Sequence, residues 1–244
     1  MTKLAIMQPY LFPYLGYFQL IKSVDIFVLY DEVNFIKKGW INRNRLLEVN
    51  KEPVYFTIPI KQQSSFKKIK HTKIVDHTWK KSLLNLIHYN YKKSPFYKET
   101  IPLIVKLLNC NSQYISILNK SSIAQLTNYL SIDTRIVTDM KFDIFEAQLL
   151  HTKHASKYPL KEKRVIELCK LFGASSYTNT INGKALYSKP NFIEHGIELK
   201  FIQMASLTYK QNASIFYDKL SIIDVLMNCG QEYTKKLLLQ YKLL

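Results

Sequence analysis

The chain has few glycines, few acids and no familiar catalytic signature. Only 6 of its 244 residues are glycine. No glycine-rich phosphate loop, HExxH run or Ser, His and Asp arrangement is present, so conventional ATPase and hydrolase readings lose support. The three cysteines, Cys110, Cys169 and Cys229, lie far apart and form no CxxC pair for zinc or redox work. A reduced, cytoplasmic setting fits them. His151 and His154 are the one close histidine pair, and no acid lies near enough in sequence to complete a ligand set, so no metal is expected. No apolar run approaches the roughly 20 residues of a bilayer span. The start, "MTKLAIMQP", is too soon broken by proline for a signal peptide. Any membrane contact is therefore expected to be peripheral.

What is abundant is hydrophobic surface and lysine. The composition is 47% hydrophobic and 13% aromatic, which suits a packed globular protein. The length allows one domain, or one domain carrying a large insertion. The 35 Lys plus Arg outnumber the 18 Asp plus Glu, for a formal charge of +17. Such an excess attracts phosphate-bearing partners over a Debye length of about 10 Å. Nucleic acid, a nucleotide sugar, an anionic membrane leaflet and plain solubility all remain open, and a lysine-heavy composition also follows from an AT-rich genome.

"KLAIM" (Lys3 to Met7) is a short apolar run stopped at Pro9, the pattern of a buried strand. "LGYFQLIKSV" then carries apolar residues at helical spacing, and "IFVLY" reads as a second buried strand. Strand, loop, helix and strand in about 30 residues predict a βαβ unit with parallel strands. "PVYFTIPI" reads as a third strand with an edge or irregular end. Residues 61–100 carry ten lysines against Asp76 and Glu99 and contain the amphipathic run "WKKSLLNLIHYNYKK". Further helices are expected at about 96–108 and 113–130. "TRIVTD", "SSYTN" and "GIELKFIQ" read as strands, "KEKRVIELCKLFG" as a helix ended by Gly173, and the tail as two helices split near Cys229-Gly230. The expected architecture is α/β, a Rossmann-like, nucleotidyltransferase-like parallel sheet with a basic helical insertion and a helical C-terminal tail. Residues 1–75 and 132–205 supply its two halves, 76–131 the insertion and 206–244 the tail.

The loop "QPYLFPYLGY" stands where open α/β sheets place ligands, between the first strand and the first helix. Pro9 and Pro13 stiffen it, Gly16 permits close backbone approach, and Tyr10, Tyr14 and Tyr17 offer flat walls with polar edges. An aromatic cluster covering the top of the sheet is the competing account. Tyr14-Leu15-Gly16-Tyr17 falls where nucleotidyltransferases and class I aminoacyl-tRNA synthetases carry His-x-Gly-His. With tyrosine at both histidine positions, that likeness supports the fold and the location of a site, not adenylation. Asp31 and Glu32 follow the second strand, where a carboxylate serves as a ligand for a hydroxyl or amine, as a general base, or as a solvated turn residue. In "WINRNR", an extended backbone puts Arg43 and Arg45 on one side and Asn42 and Asn44 on the other. Two arginines so close in a lysine-rich chain suit a planar fork for phosphate or carboxylate, or an ion pair with Asp31 or Glu32.

"MQPYLFPYLGYFQLI", "DIFVLYDEVNFIKKGWINRNRLL", "FTIPI", "GASSYTNTINGKALY", "GIELKFIQ" and "LSIIDVLM" together resemble the WbqC-like protein family, over nearly the whole chain. The resemblance implies a role in bacterial O-antigen and other surface-polysaccharide biosynthesis, with a glycine transferase acting on an amino sugar as the suggested activity. It places Gln8, Tyr10, Pro13, Gly16, Asp31, Asn42 and Arg43 in the site.

The resulting expectation is an enzyme that transfers a small acyl group to the amine of a nucleotide-linked amino sugar. Arg43 and Arg45 would hold the diphosphate, Tyr14 and Tyr17 would stack on a base or sugar, with Trp40 also in the site, and Asp31 and Gln8 would serve the chemistry. Free glycine is unactivated, so the donor needs ATP or prior activation, as in an aminoacyl-tRNA, which the basic insertion would suit. A nucleic-acid-binding protein without catalysis is the alternative, and a non-catalytic scaffold at an anionic membrane is a third.

Overall fold

The computed structural model describes residues 1–49, 52–138, 142–151 and 158–244. Strand β1 (Lys3–Met7) sends Leu4 to one face of a sheet and Ala5 to the other, and both are buried. A strand covered on both faces reads as a continuous apolar run, which is why "KLAIM" is legible. It pairs in parallel with β2 (Ile26–Leu29), from Leu4 opposite Ile26 to Met7 opposite Leu29. Helix α1 (Leu15–Lys22) joins the two and packs Phe18 and Ile21 into the same cluster as Ala5 and Phe27. The expected βαβ unit is present.

Beyond β2 the chain leaves the sheet for about a hundred residues. Strands β3 (Arg43–Leu47) and β4 (Pro53–Thr57) pair antiparallel with each other and with no strand of the central sheet. The segment "PVYFTIPI" is thus half of a separate hairpin rather than a third strand of the sheet. Helices α2 (Thr78–Tyr91), α3 (Tyr97–Leu108) and α4 (Ile115–Tyr129) follow, close to their expected bounds. They share one continuous hydrophobic core with α1 and its face of the sheet. The chain rejoins the sheet at β5 (Arg135–Val137), parallel to β2.

Helices α5 (Phe142–His151) and α6 (Leu160–Leu171) precede β6 (Ser176–Thr180), and α7 (Lys189–Ile193) leads to β7 (Glu198–Met204). Gly173 ends α6 with a positive φ of 61°, while Ala174 donates to Cys169 O at 2.8 Å and Gly173 to Lys170 O at 3.0 Å. That is the Schellman pattern, in which the left-handed residue returns two orphan carbonyls to use. Helix α8 (Ile222–Leu237) breaks at Gly230, and β8 (Tyr241–Leu243) closes the chain antiparallel to β7.

The strand order is β5-β2-β1-β6-β7-β8, with every pairing parallel except the last. This is a mixed α/β fold with a mainly parallel central sheet. One face carries α1 and the helices of the insertion, and the other carries α6 and α7, with Val165, Ile166, Cys169 and Phe192 packed on Leu4, Val28 and Tyr177. The chain turns outward in opposite directions from β1 and β6, so the crevice between their carboxyl ends is the position where such sheets bind ligands. Among the described residues, no helix is long and apolar enough to cross a membrane. No group of three or more His, Cys, Asp and Glu among them is placed to hold a metal ion. His154 and Asp139 lie outside the described residues.

Candidate functional site

The loop from Gln8 to Tyr14 stands at the carboxyl end of β1, and its carbonyls are pinned from far along the chain. The Tyr17 hydroxyl donates to Gln8 O (3.1 Å), and Asn119 Nδ2 to Pro9 O (3.1 Å). Asn44 Nδ2 reaches Leu11 O (3.1 Å) and Phe12 O (2.6 Å), the Ser221 hydroxyl also donates to Phe12 O (2.9 Å), and Ile222 N–H donates to Pro13 O (2.9 Å). Buried carbonyls in an irregular segment need such partners. The prolines and rings therefore build a stiff scaffold whose shape other elements enforce.

Within it the tyrosines divide by role. Tyr17 is wholly buried, edge-on to Tyr10 at 5.4 Å and to Phe27 at 5.3 Å. Burial pushes its hydroxyl well above the ordinary tyrosine value. Tyr10 and Pro13 are buried as well. These three support the site from behind, and neither Tyr10 nor Tyr17 has a free face for a base. Tyr14 is half-buried and lines a cavity. Gly16 is needed for that ring: a Cβ added there would lie 2.5 Å from the Tyr14 ring, so the close approach is made by a side chain of the protein itself.

Two cavities open along the carboxyl edge and meet at Thr180 and Asn182, which line both. One, of about 430 Å³, sits over β1 and β6 and is bordered by Gln8, Tyr30, Lys161, Arg164, Asn179 and Tyr187. Gly183 admits the Asn179 amide, which would lie 2.6 Å from an added Cβ. The other, of about 420 Å³, lies on the α1 side against Tyr14, Gln19, Asp218 and Lys219. Gln19 Nε2 donates to Leu237 O (2.9 Å) and Gln240 O (3.1 Å), which fixes its amide orientation, and its Oε1 has no partner among the described residues.

The first cavity is cationic by construction. Arg164 grips Glu146 through Nε and through Nη2 (2.9 Å), and the Tyr30 hydroxyl donates to the same carboxylate. Burial, reinforced by Glu146, pushes the Tyr30 phenol up and keeps it neutral. The Arg164 side chain is still 19% exposed, and Lys161 is exposed beside it. The bidentate grip orients the guanidinium.

Asp31 lies one residue past Tyr30 but lines a neighbouring cavity of about 530 Å³, with Lys70, Tyr114 and Lys120. Its carboxylate accepts from the Ser116 hydroxyl and pairs with Lys120 Nζ at 2.8 Å. Lys120 also donates to Thr138 O (2.9 Å) at the end of β5. Glu32 is buried against Lys68 (2.9 Å) and Lys70; burial opposes its charge, yet the two ammoniums hold its carboxyl below the usual range. Gln8 and Asp31, expected to act together, thus border adjacent cavities rather than one.

The "WINRNR" alternation is seen in β3. Asn42 and Asn44 point inward, Asn42 Nδ2 donating to Ile58 O (2.9 Å), while Arg43 and Arg45 take the outer face. Arg43 lies over Tyr55 and donates to Gly39 O (3.1 Å); Arg45 lies over Trp40 and donates to Asp218 O (3.2 Å) and Lys219 O (3.3 Å). Neither arginine pairs with Asp31 or Glu32. Nor does Arg43, Arg45 or Trp40 border the three cavities. The hairpin stands off the central sheet, and its outer face meets the α1-side cavity only at the rim, where Arg45 holds the Asp218 and Lys219 carbonyls. Tyr30, Lys161, Arg164, Asn182 and Gln19 were not singled out in the sequence. Lys161 and Arg164 share α6 while the other three come from separate elements, and only "YTNTING", a strand ending in amide and glycine residues, held a local hint.

The sequence profile of the WbqC-like protein family matches residues 8–236 of the chain. A Mycobacterium tuberculosis (strain ATCC 25618 / H37Rv) protein, described as uncharacterized protein Rv1507c, is 27% identical over 235 residues, covering 95% of this chain and 96% of that one. No solved structure matches.

Proposed function

The chain belongs to the WbqC-like protein family, and on that premise we propose that it is a transferase of bacterial surface-polysaccharide (O-antigen) biosynthesis. It moves a small acyl group, glycyl in the simplest case, onto the amine of a nucleotide-linked amino sugar. The observation that carries this reading is the crevice between β1 and β6, where Lys161 and Arg164 face Gln8, Asn179 and Asn182. Two cations beside several amides suit a diphosphate joined to a hydroxyl-rich sugar.

In this reading the diphosphate rests on Arg164 and Lys161, and Gln8 and Asn182 hold sugar hydroxyls. The assignment of the diphosphate to Arg43 and Arg45 is replaced, because those side chains lie on the hairpin. Neighbouring strands stand about 4.8 Å apart, so a nucleotide sugar lying along the carboxyl edge reaches from β1 and β6 past Tyr30 to Asp31, just beyond the end of β2. The amine nitrogen attacks the acyl carbonyl carbon, the C–N bond forms, the donor's oxygen leaves with the bonding pair, and Asp31 takes the amine proton. The donor is an activated acyl compound, such as an aminoacyl ester.

Nucleotide amino sugars should raise the melting temperature of the protein, and Lys161→Glu should remove that shift. With an activated glycyl donor, mass spectrometry should show a glycyl-sized gain on the sugar that Asp31→Asn abolishes while sugar binding persists. A folded protein indifferent to every nucleotide sugar would overturn the reading.

A further inference from the structure

The outer face of the β3–β4 hairpin carries two large rings that the fold does not use. Trp40 is 45% and Tyr55 49% exposed. Their ring centroids lie 6.1 Å apart at an interplanar angle of 31°. The guanidinium carbon of Arg43 sits 4.9 Å from the Tyr55 centroid, and that of Arg45 sits 5.8 Å from the Trp40 centroid. The register, with Arg45 opposite Tyr55 and Arg43 opposite Thr57, places these side chains on one side of the hairpin. The hairpin is anchored from elsewhere in the chain, by Asn44 on the 8–14 loop and by Asn119 of α4 on Ile41 O (3.0 Å). Arg45 has a structural duty on the Asp218 and Lys219 carbonyls, but packing does not explain the exposure of the two rings.

The surroundings are mainly cationic, with Glu48 and Glu52 set between β3 and β4. Residues 33–47 and 53–75 contain no Asp or Glu, and Lys37, Lys38 and Lys61 stand exposed near the rings in sequence. The one acid that neighbours Arg45 through its backbone, Asp218, already pairs with Lys219 at 3.4 Å. Lys38, two residues before Trp40, holds a positive φ of 58°. A side chain in that region costs about 1 kcal/mol, and such costs gather at binding segments.

We propose that this face is a stacking platform for single-stranded nucleic acid, in which Trp40 and Tyr55 take unpaired bases while Arg43 and the flanking lysines take phosphates. Exposed rings and guanidinium planes in a cationic field are what unpaired bases need, since every base has a π-face and every link a charge. A guanidinium displaced from a ring by a base is free to fork onto a phosphate. A duplex hides its base faces, so the platform discriminates against it. The site is separate from the crevice and goes beyond the transferase reading.

The chain has two tryptophans, and Trp79 is 7% exposed, so quenching of intrinsic fluorescence reports Trp40. A 12-nucleotide single-stranded RNA should quench that emission saturably, and a labelled copy should show binding at least tenfold weaker in Trp40→Ala but within about threefold in Trp40→Phe, as loss of one stacked base implies. Tyr55→Ala should weaken it likewise, with both variants melting as the parent does. If one variant fails to fold, the other carries the measurement. A 12-base-pair duplex should bind more weakly than the single strand. Binding that ignores both ring substitutions, or favours the duplex, is simple charge attraction and overturns the proposal. Quenching by anionic phosphatidylglycerol vesicles with none by RNA overturns it as well and assigns the face to membranes.

Discussion

The Tyr14 ring lies so close over Gly16 that a Cβ on residue 16 would meet it at 2.5 Å. The glycine is therefore the seat of a ring that lines the α1-side cavity. Gly16→Ala should push the ring toward that cavity and cost about 1–3 kcal/mol, the usual range for overpacking. In a double-mutant cycle with Tyr14→Ala, followed by urea unfolding, the alanine at 16 should become nearly neutral once the ring is gone. Additive losses would show that the ring is not what the glycine accommodates.

Asn44 and Arg43 are sequence neighbours with opposite duties. Asn44→Ala removes the donor that serves both Leu11 O and Phe12 O; Phe12 O keeps the Ser221 hydroxyl while Leu11 O loses this side-chain donor, at a cost of about 1–3 kcal/mol. Arg43→Ala, on the outer face, should change stability by under about 1 kcal/mol. Chemical denaturation of the pair measures the contrast, and equal losses would contradict the placement of the scaffold.

Glu32 should make stability depend on pH in acid. Although burial works against it, Lys68 and Lys70 hold its folded value below the unfolded one of about 4.3. A carboxyl depressed in this way adds stability above about pH 4.3 and loses it as the pH falls through the folded value. The stability gap between the parent and Glu32→Gln should be widest near neutrality and shrink as the pH falls below about 4.3. A gap that stays constant with pH would show that the ion pairs contribute nothing.

Gly230 breaks α8 with φ 68° and ψ −179°, a conformation almost confined to glycine, and an added Cβ would strike the Phe96 ring at 2.5 Å. Gly230→Ala should cost about 3 kcal/mol or more, read as a lower melting temperature. A neutral outcome would mean that the helix straightens without penalty.

Local signals served the elements whose causes are local. The strand "KLAIM", the helix ended by Gly173 and the split near Gly230 were all legible, because burial on both faces, a left-handed cap and a helix-breaking glycine each leave a mark within a few residues. The same rule explains the errors. "PVYFTIPI" has strand composition whichever partner it takes, and its pairing with β3 in a hairpin held by Asn44 on the 8–14 loop is a tertiary outcome that its own residues do not encode. Helix α7 has five residues and β8 three, too few to show a period.

The sequence by itself determined a basic α/β chain, a stiff aromatic loop after the first strand, and an alternation of arginine and asparagine across β3, since each depends on composition or on a spacing of two to four residues. Only the tertiary structure decided that Tyr17 supports the loop from the interior, that Asp31 and Gln8 border different cavities, and that Lys161 and Arg164 join Gln8 in the crevice. Those outcomes depend on parallel strands brought together from 173 residues apart, as Leu4 beside Tyr177 shows; the registers that do so come from burial summed over the whole core, a quantity no short stretch contains.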